Sequence, residues 1–138
     1  MPQVIEKLSL ETTGKQIINI TQKIRSKLDS LDLKNGLLNL TVLHTSSSLM
    51  IQENADPRVL EDLTTFLDKI APEGDNYAHD DEGLDDMPAH IKSSLTNNQI
   101  SLSIKDGNLL LGTWQGLYLF EHRLDPQSRK IVLHYLGD

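Results

Sequence analysis

The residues best suited to chemistry lie together between His79 and His90, in the run His-Asp-Asp-Glu-Gly-Leu-Asp-Asp-Met-Pro-Ala-His. Two imidazoles and five carboxylates fall within these twelve residues. Neutral imidazole and carboxylate are the usual ligands of zinc and related divalent ions. Acids at this density cannot be buried without cations or partners. A charge run by itself reads as a solvated acidic loop. Two further polar clusters, around His44 and around Trp114, shift the balance towards a site.

His44-Thr45-Ser46-Ser47-Ser48 follows an apolar run. Consecutive hydroxyls suit neither a core strand nor a helix. Just past a strand end, their side chains and backbone amides fit an anion-binding turn for a phosphate. A plain polar connection with self-bonded hydroxyls fits the same residues. In Gln52-Glu53-Asn54-Ala55-Asp56 the aspartate reads as a helix cap, while Glu53 and Asn54 have no structural explanation. The third cluster, Leu111-Gly112-Thr113-Trp114-Gln115-Gly116, sets two glycines around the only tryptophan. Inside an expected strand this indicates a bulge or the close approach of a backbone or ligand. A tryptophan that anchors the core explains it equally, and the expectation is a buried Trp114 with crowded glycines. Glu121-His122-Arg123 ends the same strand, where alternation puts Glu121 and Arg123 on one face. His134, between Val132 and Leu136, reads as a packed or interface histidine. A serine–histidine–acid triad is disfavoured, because no Gly-x-Ser-x-Gly elbow is present. Neither glycine-rich nucleotide fingerprint occurs.

These clusters need elements to carry them. Val4 to Glu11 reads as a strand, ended by the Thr12-Thr13-Gly14-Lys15 turn. Ile20, Ile24, Leu28 and Leu31 recur at helical spacing. Leu37 to Leu43 is apolar on both faces apart from Asn39 and Thr41, which predicts an interior strand. Asp56-Pro57 starts a helix with a cap and a proline in its first turn, and Val59, Leu60, Leu63, Phe66, Leu67 and Ile70 give it a buried face. A short helix is expected from Pro88 to Leu95, with Ile91 and Leu95 on its apolar side. Ile100, Leu102 and Ile104 alternate with polar residues up to Asp106-Gly107, a preferred hairpin turn. A return strand is expected through Leu109-Leu110-Leu111 towards Tyr118, and a last strand over Lys130 to Leu136. About six strands and three helices, with hairpin-linked closing strands, predict an α+β fold with a largely antiparallel sheet.

Composition sets the outer limits. A chain of 138 residues is one domain with room for a core. A hydrophobic fraction of 38% and a charged fraction of 24% are ordinary for a globular protein. The net charge of −7, without a basic stripe, argues against nucleic acid as a partner. The absence of cysteine removes disulfides and thiolate chemistry. No signal-like start and no apolar run of membrane-spanning length occur, so a soluble cytoplasmic protein without a membrane partner is expected.

Four motifs in order, His44-Thr45-Ser46-Ser47-Ser48-Leu49, Glu53-Asn54-Ala55-Asp56-Pro57, Asp85-Asp86-Met87-Pro88-Ala89-His90-Ile91-Lys92 and Gly112-Thr113-Trp114-Gln115-Gly116, resemble the YjbQ-like family of small bacterial and archaeal proteins. The likeness covers essentially the whole chain, residues 1–138. It implies a compact α+β domain assembled as a homotrimer. It also implies a weak thiamine-phosphate synthase activity, a transferase reaction joining a pyrimidine diphosphate to a thiazole phosphate. Carried over residue by residue, the family pattern implies that His44, His79 and His90 converge as metal ligands, for zinc or magnesium. Thr45, Ser46, Ser47, Ser48 and Gln115 would hold the phosphate of a small phosphorylated molecule. Glu53, Asn54, Lys92 and Arg123 would be the catalytic residues. Glu121-His122-Arg123 matches one branch of the family. The alternative expectation is a trimeric protein that binds a metal or small anion without turnover, using the same polar cluster.

Overall fold

Alternating burial and two strand-breaking turns set the architecture. The computed structural model describes residues 2–74 and 76–138. In chain order the elements are β1 (Gln3–Glu11), β2 (Gln16–Asn19), α1 (Thr21–Asp29), β3 (Gly36–Val42), β4 (Ser47–Glu53), α2 (Pro57–Ile70), α3 (Asp86–Leu95), β5 (Gln99–Lys105), β6 (Asn108–Leu109), β7 (Gln115–Glu121) and β8 (Ser128–Gly137). They build two antiparallel sheets, one in the order β1-β8-β3-β5-β6 and a smaller one in the order β2-β7-β4. The fold is α+β, as expected. The inward residues of both sheets and of α1 form one hydrophobic cluster, with Ile24, Leu38, Leu40, Leu49, Leu117, Leu119 and Ile131 fully enclosed.

Several sequence expectations change in the folded chain. β3 is interior by pairing, lying between β8 and β5. Only one of its faces is covered: Leu38, Leu40 and Val42 are buried, while Leu37 and Leu43 are exposed. The return strand after Asp106-Gly107 lasts two residues as β6. The chain then crosses to the smaller sheet, where β7 begins at Gln115. Trp114 therefore sits in a turn rather than a strand and is 64% exposed, which corrects the expected burial. The nearest neighbours of a Cβ at Gly112 or Gly116 would be the Gln115 and Tyr118 side chains. The severe backbone approach is elsewhere. Gly36 and Gly137 pair across β3 and β8, and a Cβ on either would collide with a carbonyl oxygen of the opposing strand or its entry. β2 was not anticipated, because four residues are too few for alternation to show.

The helices also bury other faces than their apolar spacing suggests. Asp56 caps α2, its carboxylate accepting from the Arg58 amide at 3.0 Å. Within α2 only Leu67 is fully buried, and Phe66 and Ile70 stand exposed. α3 packs through Asp86, Pro88, Ala89, Lys92 and Ser93, whereas Leu95 points outward. Ser93 Oγ donates to the Ser47 carbonyl of β4, and Lys92 to Asp68 of α2, so polar groups line the buried side of α3.

Two buried polar groups at the end of β7 and the start of β8 tie the sheets together. Glu121 is inaccessible to solvent and Arg129 is 3% exposed. Arg129 Nε donates to Glu121 Oε1 at 2.7 Å and its Nη2 donates to Oε2 and to the Ser46 carbonyl and hydroxyl. Thr12 Oγ1 and the Arg123 amide also donate to the Glu121 carboxylate. His122, 1% exposed, lies with Nε2 2.8 Å from Ser48 Oγ. Burial, then the charges of Lys92, Arg129 and Lys15, pull its imidazole down to about 3.

Two outcomes follow from these groups. Arg129→Met leaves Glu121 charged and unpaired in the core and should reduce stability in urea melts by about 3–5 kcal/mol. Adding Glu121→Leu should recover much of that loss. An unfolded histidine binds its proton near pH 6.5, whereas folded His122 stays neutral down to about pH 3. The unfolded chain thus holds one more proton in that window, so His122 destabilises the fold as pH falls, by about 1.4 kcal/mol per pH unit at the limit. His122→Asn should flatten the fall in melting temperature between pH 7 and pH 5; an unchanged slope would contradict a buried neutral imidazole.

Candidate metal centre

The acidic stretch folds back on itself at Gly83, where φ is +106°, a conformation that side-chain-bearing residues rarely adopt. This return brings His79 against the first turn of α3. His79 Nε2 lies 2.7 Å from Asp86 Oδ2, and His90 Nε2 lies 3.2 Å from the same oxygen. Asp86 and His90 are one helical turn apart and share a face of α3. Glu82 Oε2 is 3.5 Å from His79 Nε2. One donor atom from each of His79, Glu82, Asp86 and His90 lies within 4.8 Å of all the others. Donors around one tetrahedral zinc are separated by about 3.4 Å, given bonds of about 2.1 Å, so an ion here would require the 2.7 Å His79–Asp86 pair to spread and the wider pairs, within 4.8 Å, to draw in.

Neighbouring groups aim these donors. His90 Nδ1 is 3.0 Å from the Thr45 carbonyl oxygen. A carbonyl only accepts, so Nδ1 carries the hydrogen, and Nε2 is the ring atom turned towards Asp86 Oδ2. Arg123 Nη1 donates to Asp86 Oδ1 at 2.8 Å, which leaves Oδ2 for the imidazoles. The same guanidinium donates through Nε to Asp85 Oδ2 at 2.9 Å and through Nη2 to the Glu82 carbonyl. The Leu124 amide completes the hold on Asp85. Arg123 therefore clamps the loop from Glu82 to Asp86 onto the end of β7.

The charges respond to this arrangement. Burial raises the Asp85 and Asp86 carboxyls, but hydrogen bonds from Arg123 and from His79 outweigh it and hold both below the usual carboxylate range. The hydrogen bond to Asp86 raises exposed His79 above its ordinary 6.5. Signs follow directly. The Asp85 and Asp86 contributions are present above the ordinary carboxylate pKa and disappear as acid protonates them below it. The His79 contribution is present below pH 6.5 and disappears as pH rises through its elevated value.

The folded chain divides the sequence-derived site residues into two groups. His79, His90 and Arg123 meet at one end of the smaller sheet, with Thr45 and Ser46 beside them through the bonds to His90 and Arg129. His44 is not among the clustered donors. Its Nε2 accepts from the Lys130 amide at 2.9 Å, which commits the ring to β8. Ser47 and Ser48 are buried in β4, Ser48 bonded to His122 and Ser47 Oγ without a partner, so neither faces an open anion site. Lys92 is 2% exposed and donates to Asp68 at 2.6 Å beneath α2. Glu53, Asn54 and Gln115 lie at the other end of the sheet, where Glu53 pairs with Gln115 just as Ser47 pairs with Glu121 at the near end. Seven residues of β4 separate the ends by about 20 Å. Glu82 and Asp86 are the donors that sequence reasoning did not single out. The i, i+4 spacing of Asp86 and His90 on a helix was the available signal.

Arg123→Gln should leave two poorly accessible carboxylates without their cation. Amide hydrogen exchange across residues 79–90 should accelerate at pH 7, and the protein should lose about 3–5 kcal/mol of stability. Protection equal to the parent protein would show that the loop is held by something else.

Residues 6–138 match the family described as UPF0047 protein YjbQ-like. A UPF0047 protein of Synechocystis is 48% identical over 134 residues, covering 96% of this chain and 91% of that protein. The UPF0047 protein YjbQ of Escherichia coli O157:H7 is 40% identical over 132 residues, covering 95% and 96%. The crystal structure of an uncharacterised conserved YjbQ/UPF0047 protein from Clostridium acetobutylicum superposes with a TM-score of 0.85 at 34% identity, covering 95% of this chain and 99% of that one. With the family match running from β1 to the C-terminal residue and relatives of this similarity along nearly the full length, the chain belongs to the UPF0047 YjbQ-like family.

Proposed function

We propose that the protein binds a divalent metal ion through His79 Nε2, Asp86 Oδ2 and His90 Nε2, with Glu82 as a further donor, and uses it to engage a small phosphorylated molecule. The observation that carries this reading is the pair of outer contacts. The Thr45 carbonyl fixes the His90 tautomer, and Arg123 occupies the far oxygen of Asp86. Structural ion pairs do not need a histidine presented in this way; metal ligands do. Two imidazoles favour zinc or a similar transition ion over magnesium, which prefers oxygen. When bound, such an ion supplies a Lewis acid for a phosphate oxygen.

The family resemblance suggests the thiamine-phosphate synthase reaction, in which a thiazole nitrogen displaces pyrophosphate from a pyrimidine methylene. That step needs charge stabilisation at the departing diphosphate more than it needs a base. Lys92 is held by Asp68, and Arg123 by Asp85 and Asp86, so in this chain both cations hold the scaffold. Anion recognition is thereby left to the ion and the exposed Thr45. Binding without turnover is the second reading. It is favoured by the exposure of His79 and Glu82, which places the donors at a rim open to solvent. For the assembly we propose a homotrimer, supported by the exposed apolar side chains of α2 and of the outer face of β1, β3 and β8, including Ile5, Leu37 and Leu136. The described residues contain no helix long and apolar enough to cross a membrane.

Isothermal titration with Zn²⁺ and elemental analysis test the metal reading. One ion per chain is expected at pH 7.5, with affinity reduced at least tenfold in His90→Ala and unchanged in His44→Ala. Affinity should fall as pH drops below about 6, because imidazoles ligate only when neutral. Metal-free protein, or undiminished affinity in both His90→Ala and Asp86→Ala, would defeat it. Saturable turnover of a phosphorylated substrate that disappears in His79→Ala would separate an enzyme from a binder.

A further inference from the structure

The site residues at the far end of the smaller sheet form a built surface of their own. The Asn54 amide donates to the Trp114 carbonyl at 2.9 Å, and the Asn54 side chain donates to the Gln115 carbonyl. Gln115 folds back so that its side-chain oxygen accepts from the Gly112 amide at 2.7 Å, while its own amide donates to the Gly112 carbonyl. Tyr118 OH donates to the Glu53 carbonyl. These bonds lock two loops together, yet the side chain they present is the chain's only tryptophan, left 64% exposed. A rigid turn holding an indole in water gains nothing within one chain. Tryptophan on a preorganised surface is the usual anchor of a protein contact.

The metal-centre end has the opposite character. It gathers donor atoms and charge around the paired His79 and His90 rings, and beside it Leu84 is 70% exposed. The two ends are joined by α2. The helix begins shortly after Glu53 and its exit runs beside the acidic loop, where the Gly74 amide donates to the Leu84 carbonyl. Leu67 of α2 and Ala71, which follows its last turn, face the domain and are buried. Val59, Leu63, Phe66 and Ile70 form a second stripe at spacings of four, three and four, the pattern of a helix seam awaiting a partner. Phe66 and Ile70 in that stripe are exposed. Fourteen residues of α2 span about 21 Å, the same reach as β4, so the stripe runs from one end to the other.

We infer that the functional site is shared between copies of this chain: the Trp114 turn of one copy, with Glu53, Asn54 and Gln115, seats against Leu84 and the His79–Asp86–His90 centre of the next. Every copy carries both halves at opposite ends, facing outward. A contact between unlike patches on identical chains repeats from copy to copy and closes as a ring when the rotation permits. A second copy therefore satisfies both ends and the α2 stripe together, which a foreign partner seated on one end would not. The indole then supplies a flat apolar wall beside the donor cluster, suited to stacking on the heterocycle of a ligand whose phosphate lies at the metal. That last role rests on the metal-centre reading; the contact between copies does not.

The chain has no cysteine, so introduced thiols report cleanly. Trp114→Cys and Leu84→Cys in the same chain, treated with a short bismaleimide, should give covalent multimers on a denaturing gel. Either substitution alone should give monomer. Multimers from a single substitution would mean like patches meeting like, and monomer from the double variant would mean no such contact; both overturn the inference. The parent protein provides a check free of substitutions. Its tryptophan emission should be blue-shifted when assembled and shift red on dilution, and an emission typical of exposed indole at all concentrations would contradict the seat proposed for Trp114. Titration with Cu²⁺ distinguishes the two readings. Quenching at one equivalent per chain supports both, whereas cross-linked, blue-shifted protein that takes up no metal keeps the shared contact and removes the metal reading.

Discussion

The bidentate pair between Arg129 and Glu121 is the constraint on which the rest depends. A carboxylate with no solvent access is tolerable only when its charge is matched and its lone pairs are occupied. Glu121 meets that condition with donors from three segments, Thr12 after β1, Arg129 at the start of β8 and the amide of Arg123 after β7, and Arg129 donates in turn to Ser46 at the entry to β4. The two sheets are thereby tied at one end by a polar knot in place of apolar packing. Replacing such a pair by hydrophobic residues often leaves stability unchanged, so its value here lies in geometry. It fixes the direction in which the chain leaves β7, and Arg123 is the second residue along that direction.

From Arg123 the consequences are local and chemical. The density of acids between Asp80 and Asp86 demands a cation, and the protein supplies one from its own β7 exit. Asp85 and Asp86 are both held by a single guanidinium, whose planar fork reaches two carboxylates and a carbonyl at once. Glu82, with Asp80 and Asp81, stays in solvent. With one oxygen of Asp86 occupied and His90 oriented by Thr45, the remaining donor atoms face one another because their other sides are already engaged. The cluster is organised from behind, which is how ligand sets are held on a folded scaffold.

Much of the architecture was legible in the sequence wherever one physical rule governed. The Asp56-Pro57 cap, the Asp106-Gly107 turn and the alternation of β5 each depend on neighbours a few residues away. Misreadings arose where tertiary context decided. Trp114 reads as a core residue because tryptophan is costly to expose, but a strand break at Gly112 moved it into a turn. The apolar periodicity of α2 is real, yet Phe66 and Ile70 of one stripe face solvent in the single chain. At the site, His79 and His90 were visible as a pair from composition alone. His44 was not separable from them, because nothing in the sequence reveals that its ring caps the Lys130 amide. The pairing of Glu121 with Arg129 spans a chain reversal whose register cannot be read from spacing.

The central claim is that the Arg123-clamped cluster is a metal centre whose ligating atoms are set by the contacts behind them. A crystal structure of the protein equilibrated with Zn²⁺, with anomalous data at the zinc edge, tests it most directly. The account predicts one strong peak about 2 Å from His79 Nε2, His90 Nε2 and Asp86 Oδ2, with His90 Nδ1 still bonded to the Thr45 carbonyl and Arg123 still on Asp86 Oδ1. A peak ligated through Nδ1 of His90, or density confined to other surface histidines, would contradict it.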